Sequence, residues 1–179
     1  MEQITWILMT YKVPAEPAAK RVALWRKLKG MGAVYLQNGV CLLPESDEHM
    51  RQLKMLENEA NEMGGETVLL VTKSLDKAQE EKVIARFKAD RDDQYREFIG
   101  KCEAFEAEIA KEIAIEKFTY AELEEEDNDL KKLQNWAGKI RALDFYGGSL
   151  AATASQRLTS CEALLADYAR RVFDANQGL

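Results

Sequence analysis

A run of cations between residues 20 and 29 is the part of the sequence best suited to bind a ligand. It holds two arginines and three lysines: Lys20, Arg21, Arg26, Lys27 and Lys29. The planar guanidinium of arginine donates two parallel hydrogen bonds to an oxyanion or a phosphate. The run is therefore predicted to form the one positive face of an acidic protein, and to bind an anion or the phosphates of DNA.

Arg21 has an unusual predicted position in this run. At about 100° per residue on a helix, it falls between Leu28 and Trp25, inside the apolar stripe. An arginine there must extend its head group to solvent, pair with a carboxylate or bind an anion. Two interpretations stay open, a structural arginine paired with an acid and an oxyanion site. Trp25 is predicted to belong to the core and not to a stacking surface.

Residue types that carry catalysis or hold metals are sparse. The single histidine is His49, and Cys41, Cys102 and Cys161 form no CxxC pair, which argues against a histidine-cluster metal enzyme and a structural zinc site. The cysteines are expected to be small core residues, with a redox-sensing role left open for Cys41. The acidic run 124–127 is expected to be a solvated helix face. We predict no catalytic residue, no metal site and no cofactor, and we do not expect an enzyme.

The composition is that of a folded protein from a reducing compartment. Its 179 residues are 46% hydrophobic and 31% charged, which is typical of a globular chain. The net charge of −6 counts against strong nonspecific DNA binding, although it allows a local basic face. The wide cysteine spacing predicts a cytoplasmic location. The longest N-terminal apolar run, residues 4–9, is too short for a signal peptide or a membrane span.

The basic run lies in the first helix of a predicted sheet-forming region. Residues 4–11 are rich in β-branched and aromatic residues and predict a buried strand. Residues 18–31 predict a helix, with Pro17 suited to its start. Asn38-Gly39 then separates two apolar runs, which predicts a hairpin with a two-residue turn of type I′.

A second helix and a fourth strand complete this region. Ser46 is predicted to cap the helix, which ends at Gly64-Gly65, and ETVLLVTKS predicts the strand. The order βαββαβ within residues 1–76 predicts a ferredoxin-like domain. Its first and fourth strands are expected to be central.

Residues 77–179 show no strand signal and predict an antiparallel three-helix bundle packed on the first domain. A long helix to about residue 117 carries apolar residues at near-heptad spacing. A capping box begins at Thr119, and Ser149 is predicted to cap the last helix. The predicted fold class is thus α+β, a ferredoxin-like domain followed by a helical bundle. A homodimer is expected, because such sheets leave an edge strand.

Two segments resemble the ChrB family of chromate-resistance regulators. VPAEPAAKRVALWRKLKGMGAVYLQNGVCLLPE resembles the N-terminal region of that family, and FTYAELEEEDNDLKKLQNWAGKIRALDFYG resembles its helical segment. The resemblance covers nearly the whole chain and implies a cytoplasmic, chromate-responsive transcriptional regulator of a chromate efflux operon. Regulators of the usual kind are longer and carry a second, C-terminal domain, so a stand-alone version or one half of a split pair is expected here.

Two functions remain open at this point. The first is a regulator or accessory protein of chromate resistance that binds operator DNA, chromate or both through the basic run. The second is a non-catalytic interaction module that pairs with a separate ChrB C-terminal-like domain.

The βαββαβ pattern also resembles a domain of the phenylacetate-degradation repressor and, more remotely, the small nuclease subunit of CRISPR adaptation. That nuclease family has an aspartate near the end of the first strand, where this chain has Thr10-Tyr11-Lys12, so metal-dependent nuclease activity is disfavoured.

Overall fold

The computed structural model describes residues 2–177. The chain divides into two units, the first ending at Asp90 and the second beginning at Arg91. The first unit holds β1 (Thr5–Lys12), α1 (Ala18–Gly30), β2 (Val34–Gln37), β3 (Val40–Pro44), α2 (Asp47–Glu62), β4 (Glu66–Lys73) and the first turns of α3 (Lys77–Ala114). The second holds the rest of α3, α4 (Tyr120–Ala142) and α5 (Ala151–Ala175). The predicted α+β class and the order of elements are confirmed.

The division between the units lies inside α3 and not at residue 76. The first turns of α3 contact the sheet region, which accounts for their place in the first unit. Glu80 Oε2 accepts a hydrogen bond from the Ile4 N–H at 3.0 Å. Arg86 Nη1 donates to the carbonyl oxygens of Tyr35 and Leu36 at 3.1 and 3.2 Å. The packing of the bundle on the first domain stays a prediction.

A four-stranded antiparallel sheet forms the first unit, in the order β2-β3-β1-β4. β1 pairs with β3 on one side and β4 on the other, with Ile7 opposite Leu43 and Val71. Side chains alternate along a strand, so Ile7 and Trp6 point to opposite faces of the sheet. Both are at most 1% exposed, and β1 is therefore buried on both faces.

β4 lies at the edge of the sheet. The prediction that the first and fourth strands are both central is wrong, because the central pair is β1 and β3. β4 pairs with β1 along its whole length, and no other strand of residues 2–177 pairs with its outer side. Val68, Leu70 and Val71 stay 50%, 53% and 54% exposed. An apolar run of this length is typical of a buried strand, so the sequence pattern alone misplaced it.

The predicted hairpin between β2 and β3 is confirmed, but its turn differs in type. Of Asn38 and Gly39, only Gly39 has a positive φ, 74°. A type I′ turn requires positive φ at both positions, so that prediction is wrong. A register shift between Tyr35 and Gln37 adds an irregularity beside the turn.

Gly39 also joins the hairpin tip to the end of β1. Its carbonyl oxygen accepts a hydrogen bond from the Tyr11 N–H at 2.8 Å. A Cβ atom at Gly39 would lie 2.5 Å from the carbonyl oxygen of Tyr11, which is too close for any other residue. The turn therefore needs glycine for this approach as well as for its φ.

The second unit is built around one apolar cluster shared by α3, α4 and α5. Its fully buried members include Phe98, Cys102 and Ile109 of α3, Ile140 of α4, and Cys161, Tyr168 and Val172 of α5. α3 ends at Ala114, short of the predicted residue 117. The capping box that begins α4 is confirmed, because Thr119 Oγ1 accepts from the Glu122 N–H at 3.2 Å. The Ser46 cap of α2 is confirmed in the same way, with the His49 N–H at 3.0 Å.

Ser149 does not cap α5, contrary to the prediction. The N-cap position is Leu150, and the Ser149 hydroxyl donates instead to Asp92 Oδ2 at 2.6 Å. Asp92 Oδ1 accepts from the Leu150 N–H at 2.9 Å. A carboxylate from α3 thus accepts the hydrogen bond from the backbone N–H at the start of α5. A sequence pattern within one helix cannot reveal such a contact.

The acidic run 124–127 is not uniformly solvated, because Glu126 is only 3% exposed. The helical period turns this one carboxylate into the bundle while Glu124 and Glu125 stay exposed.

Among residues 2–177, no three or more His, Cys, Asp or Glu side chains converge in a way that could hold a metal ion. Within residues 2–177, every helix is too short or too polar to span a lipid bilayer.

Candidate functional site

A cleft of about 750 Å³ lies in the first unit, beside α1 and the tip of the β2–β3 hairpin. α1 contributes Ala18, Arg21, Val22, Trp25 and Lys29. Three- and four-residue spacing places these residues on one side of the helix. The end of β1, the segment after it, β2 and the turn contribute Tyr11, Lys12, Val13, Ala15, Tyr35, Asn38 and Gly39.

The rotation of α1 is set by Leu24 and Leu28, which are both fully buried. Arg21 is exposed at the first turns of the helix and does not lie in a buried stripe. Trp25 is 48% exposed and lines the cleft, so the prediction that it belongs to the core is wrong. Two leucines suffice to anchor this short helix, and the indole is left on the open side.

The five predicted cations of α1 point in different directions. Arg21 and Lys29 line the cleft. Lys27 Nζ lies 2.8 Å from Glu59 Oε2 of α2, and Lys29 Nζ lies 3.1 Å from Asp90 Oδ2 of α3. Lys20 and Arg26 are exposed and outside the cleft. Whether these five residues bind a ligand stays a prediction, but they do not form one continuous face.

The charge of the cleft is positive. Its charged lining residues are Lys12, Arg21 and Lys29, and none of the described residues that line it is acidic. Within residues 2–177, no carboxylate lies in ion-pair distance of Arg21 or Lys12. The interpretation of Arg21 as a structural arginine held by an acid therefore finds no support, whereas an anion site remains consistent with its surroundings.

Two tyrosines of the cleft lining provide neutral donors. The hydroxyl oxygens of Tyr11 and Tyr35 lie 2.7 Å apart, and their rings meet edge to face at 6.4 Å. Burial raises the pKa of both hydroxyls, and the charge of Arg21 opposes part of the rise at Tyr11. Both groups therefore keep their protons at neutral pH. One proton joins the pair, and the other is available to an oxygen of a ligand.

Sequence reasoning missed the residues that β1 and the hairpin contribute, namely Tyr11, Lys12, Tyr35 and Asn38. Antiparallel pairing of β1 with β3 places Thr10 opposite Val40 and so brings the end of β1 to the hairpin turn. The predicted strand arrangement did not contain this pairing, because it made the first and fourth strands central. No spacing within one segment links Tyr11 to Tyr35, so the sequence held no local signal for the pair.

The remaining chemically active residue types have structural surroundings. Cys41 is 1% exposed, and burial raises its thiol pKa to about 12, so a redox-sensing role for it finds no support. The ring of His49 lies with Nδ1 2.7 Å from the carbonyl oxygen of Pro44. That contact fixes the ring at the start of α2.

Comparison with known proteins gives one family. The family model for the N-terminal part of Protein ChrB matches residues 21–179. Protein ChrB of Cupriavidus metallidurans is 29% identical over 97 residues, which make up 54% of this chain and 29% of that protein. The aligned part therefore spans less than a third of the length of this curated relative.

Proposed function

Because the chain belongs to the ChrB N-terminal family, we propose that it acts in chromate resistance as a chromate-responsive transcriptional regulator or an accessory protein. In this proposal it is a cytoplasmic protein without enzymatic activity. The supporting observation is the cleft beside α1, where Arg21 has no carboxylate partner among the described residues and no described lining residue is acidic.

The cleft suits a tetrahedral oxyanion such as chromate. Arg21 offers a forked pair of donors, Lys12 and Lys29 add positive charge, and a tyrosine proton offers a neutral hydrogen bond. The net charge of the chain is −6, so the rest of the surface repels anions and directs them to this cleft. The charge of Lys29 is partly neutralised by Asp90, so Arg21 is the principal residue that binds the oxyanion.

DNA contact is assigned to cations outside the cleft. Lys20 and Arg26 are exposed, and no described carboxylate lies in ion-pair distance of either. Lys27 is shared with Glu59 in an exposed pair that a phosphate can replace at small cost. Each phosphate contact releases counterions and adds about 0.9 to the slope of log affinity against log salt.

Arg21→Lys tests the oxyanion site. The substitution keeps the charge and removes the fork, so chromate affinity, measured by isothermal titration calorimetry, is expected to fall about five- to tenfold. Arg26→Lys is the matched control, since it makes the same change on the same helix outside the cleft. Equal chromate affinity in all three proteins, each with an unchanged melting temperature, would contradict the site.

The DNA assignment is tested separately with operator-length duplex. The double variant Lys20→Ala, Arg26→Ala is expected to reduce the slope of log affinity against log salt by about 1.8, which corresponds to two lost phosphate contacts. Arg21→Lys is expected to leave that slope unchanged, because the charge persists. A slope that does not change in the double variant would remove these residues from DNA binding.

A second candidate function is a non-catalytic module that pairs with a separate ChrB C-terminal-like domain. It is favoured by the fact that most of the relative's length lies outside the aligned part. Co-purification of this chain with the part of that relative outside the alignment tests it. The first function requires only this chain, chromate and DNA, and does not depend on such a complex.

A further inference from the structure

The cleft beside α1 is larger and more aromatic than a single oxyanion requires. Its volume of about 750 Å³ lies within the range of about 300–1,000 Å³ that is typical of sites for whole organic ligands. A tetrahedral oxyanion held by Arg21 would fill a small part of it. The rest of the lining should therefore recognise another part of the natural ligand.

Trp25 is the residue that such a ligand part would contact. Its indole is 48% exposed although the helix is already anchored by Leu24 and Leu28. A large aromatic surface left open on the wall of a cleft is typical of a binding contact, because its burial on ligand binding is favourable. Val22, 42% exposed on the same wall, extends the apolar surface.

Cations lie on both sides of Trp25 along the helix. Arg21 precedes it by four residues and Lys29 follows it by four, so each is a little more than one helical turn, or about 6 Å of rise, away. All three line the cleft. The lining of the cleft also includes Tyr35 and Asn38, which supply hydrogen-bonding groups. The arrangement combines an aromatic face, flanking positive charges and polar edge groups.

We propose that this cleft binds a nucleotide unit, with its phosphate on Arg21 and its base stacked on Trp25. The inference rests on the proposed anion site and names a further ligand class for it. Stacking on an aromatic side chain beside a basic groove is how proteins hold unpaired nucleotides, and it tolerates any base because every base has a π-face. The unit is either part of a nucleic-acid strand or a free nucleotide.

The test uses the full chain and a labelled single-stranded oligothymidylate of about ten nucleotides, with binding followed by fluorescence anisotropy. Trp25→Ala is expected to weaken binding by at least fivefold, which is the lower end of what one lost base stack costs, and Trp25→Phe is expected to retain most of it. Phe173→Ala is the matched control, because Phe173 is 52% exposed and lies on α5, outside the cleft. An unchanged affinity in Trp25→Ala would overturn the inference.

An abasic oligonucleotide of the same length separates stacking from phosphate binding. It is expected to bind the natural protein at least fivefold more weakly than oligothymidylate does. Its affinity for Trp25→Ala should equal its affinity for the natural protein. Equal affinity of the two oligonucleotides for the natural protein would show that only phosphate is bound and would also overturn the inference. Tryptophan emission provides a second readout. A change on adding oligothymidylate is expected in the natural protein and not in Trp25→Phe, since Trp6 and Trp136 lie outside the cleft.

The two proposals fail in different ways. Chromate binding that is lost in Arg21→Lys and kept in Trp25→Ala supports the oxyanion site whatever the oligonucleotides do. Thymidine monophosphate distinguishes the two sources of the nucleotide. If it binds as tightly as the oligonucleotide, the ligand is a free nucleotide, and if the oligonucleotide binds at least tenfold more tightly, the ligand is a strand.

Discussion

Glu126 of α4 is a carboxyl group buried among other carboxylates in the second unit. Burial raises its pKa to about 7 from an ordinary 4.5, and repulsion from Asp129 and Glu108 adds to the rise. A carboxyl whose pKa is higher in the folded state stabilises the protein below its unfolded pKa, and this stabilisation is lost as pH rises through about 7. The folded chain is thus more tolerant of a neutral group here than of a charge.

Glu126→Gln is therefore expected to raise the free energy of unfolding by about 2 kcal/mol at pH 8 and by much less at pH 5. Urea denaturation at the two pH values measures the difference. Glu124→Gln, an exposed position on the same helix, is the control and should change little at either pH. The same increment for Glu126→Gln at both pH values would contradict the buried-carboxyl explanation.

At residue scale, the predicted cations include Arg21 and Lys29 of the cleft, but the sequence analysis missed Lys12 and the directions of the side chains. Trp25 was predicted to belong to the core because it falls on the apolar side of the helix, while the buried anchors are Leu24 and Leu28. Arg21 was predicted to lie inside the apolar stripe, but it is exposed and lines the cleft, and its role in binding stays a prediction. Tyr11 and Tyr35 could not be found from one-dimensional spacing, because they meet only through the pairing of β1 with β3.

At the scale of elements, the start of α5 depends on a residue from α3. Burial alone would raise the pKa of Asp92, but hydrogen bonds from the Ser149 hydroxyl and the Leu150 N–H outweigh it and lower the pKa. The cap therefore contributes stability above the ordinary aspartate pKa of 3.8 and loses it as pH falls further. This contact ties two helices together at one end of the bundle.

Asp92→Ala is expected to lower the free energy of unfolding by about 1–2 kcal/mol at pH 7, the usual cost of removing a cap. The difference from the natural protein should shrink below pH 3.8, where the carboxylate of the natural protein becomes protonated. Asp93→Ala is the control, since Asp93 lies beside it and pairs with Arg96 on the surface. If the two variants lost equal stability in thermal denaturation, Asp92 would not act as a cap.

Features formed by contacts within a few residues were predictable from the sequence, whereas features formed by long-range contacts were not. The caps at Ser46 and Thr119 are formed within a few residues, and both were predicted. The Asp92 cap joins residues 58 positions apart, and no sequence pattern revealed it. The place of β4 in the sheet likewise depends on a long-range choice, namely which strand pairs with the second side of β1. Strand formation is a local property, and strand order is not.

At the scale of the whole molecule, the outer edge of β4 is the surface that would explain the expected homodimer. It presents eight residues of strand, three of them apolar and about half exposed, with no paired strand among the described residues. An exposed apolar edge is a template for pairing with another chain. We propose that a second copy of the chain covers it.

Leu70→Lys is expected to convert the dimer to a single chain at micromolar concentration, because it places a charge in the centre of that edge. Sedimentation equilibrium measures the mass. Leu75→Lys, at a position 89% exposed beyond the end of β4, is the control and should leave the mass unchanged. A natural protein with the mass of one chain would contradict the dimer itself.

The three thiols have a consequence for how this protein meets its proposed ligand. Cys41, Cys102 and Cys161 are free and at most 1% exposed, and burial raises the pKa of Cys41 and Cys161 to about 12. Chromate is an oxidant, and the thiolate is the form of cysteine that is oxidised most readily. A chromate-binding protein with exposed thiolates would be oxidised by its own ligand. Under the proposed function, burial of these three sulfur atoms lowers their reactivity towards chromate, so the protein is expected to release chromate without being oxidised itself.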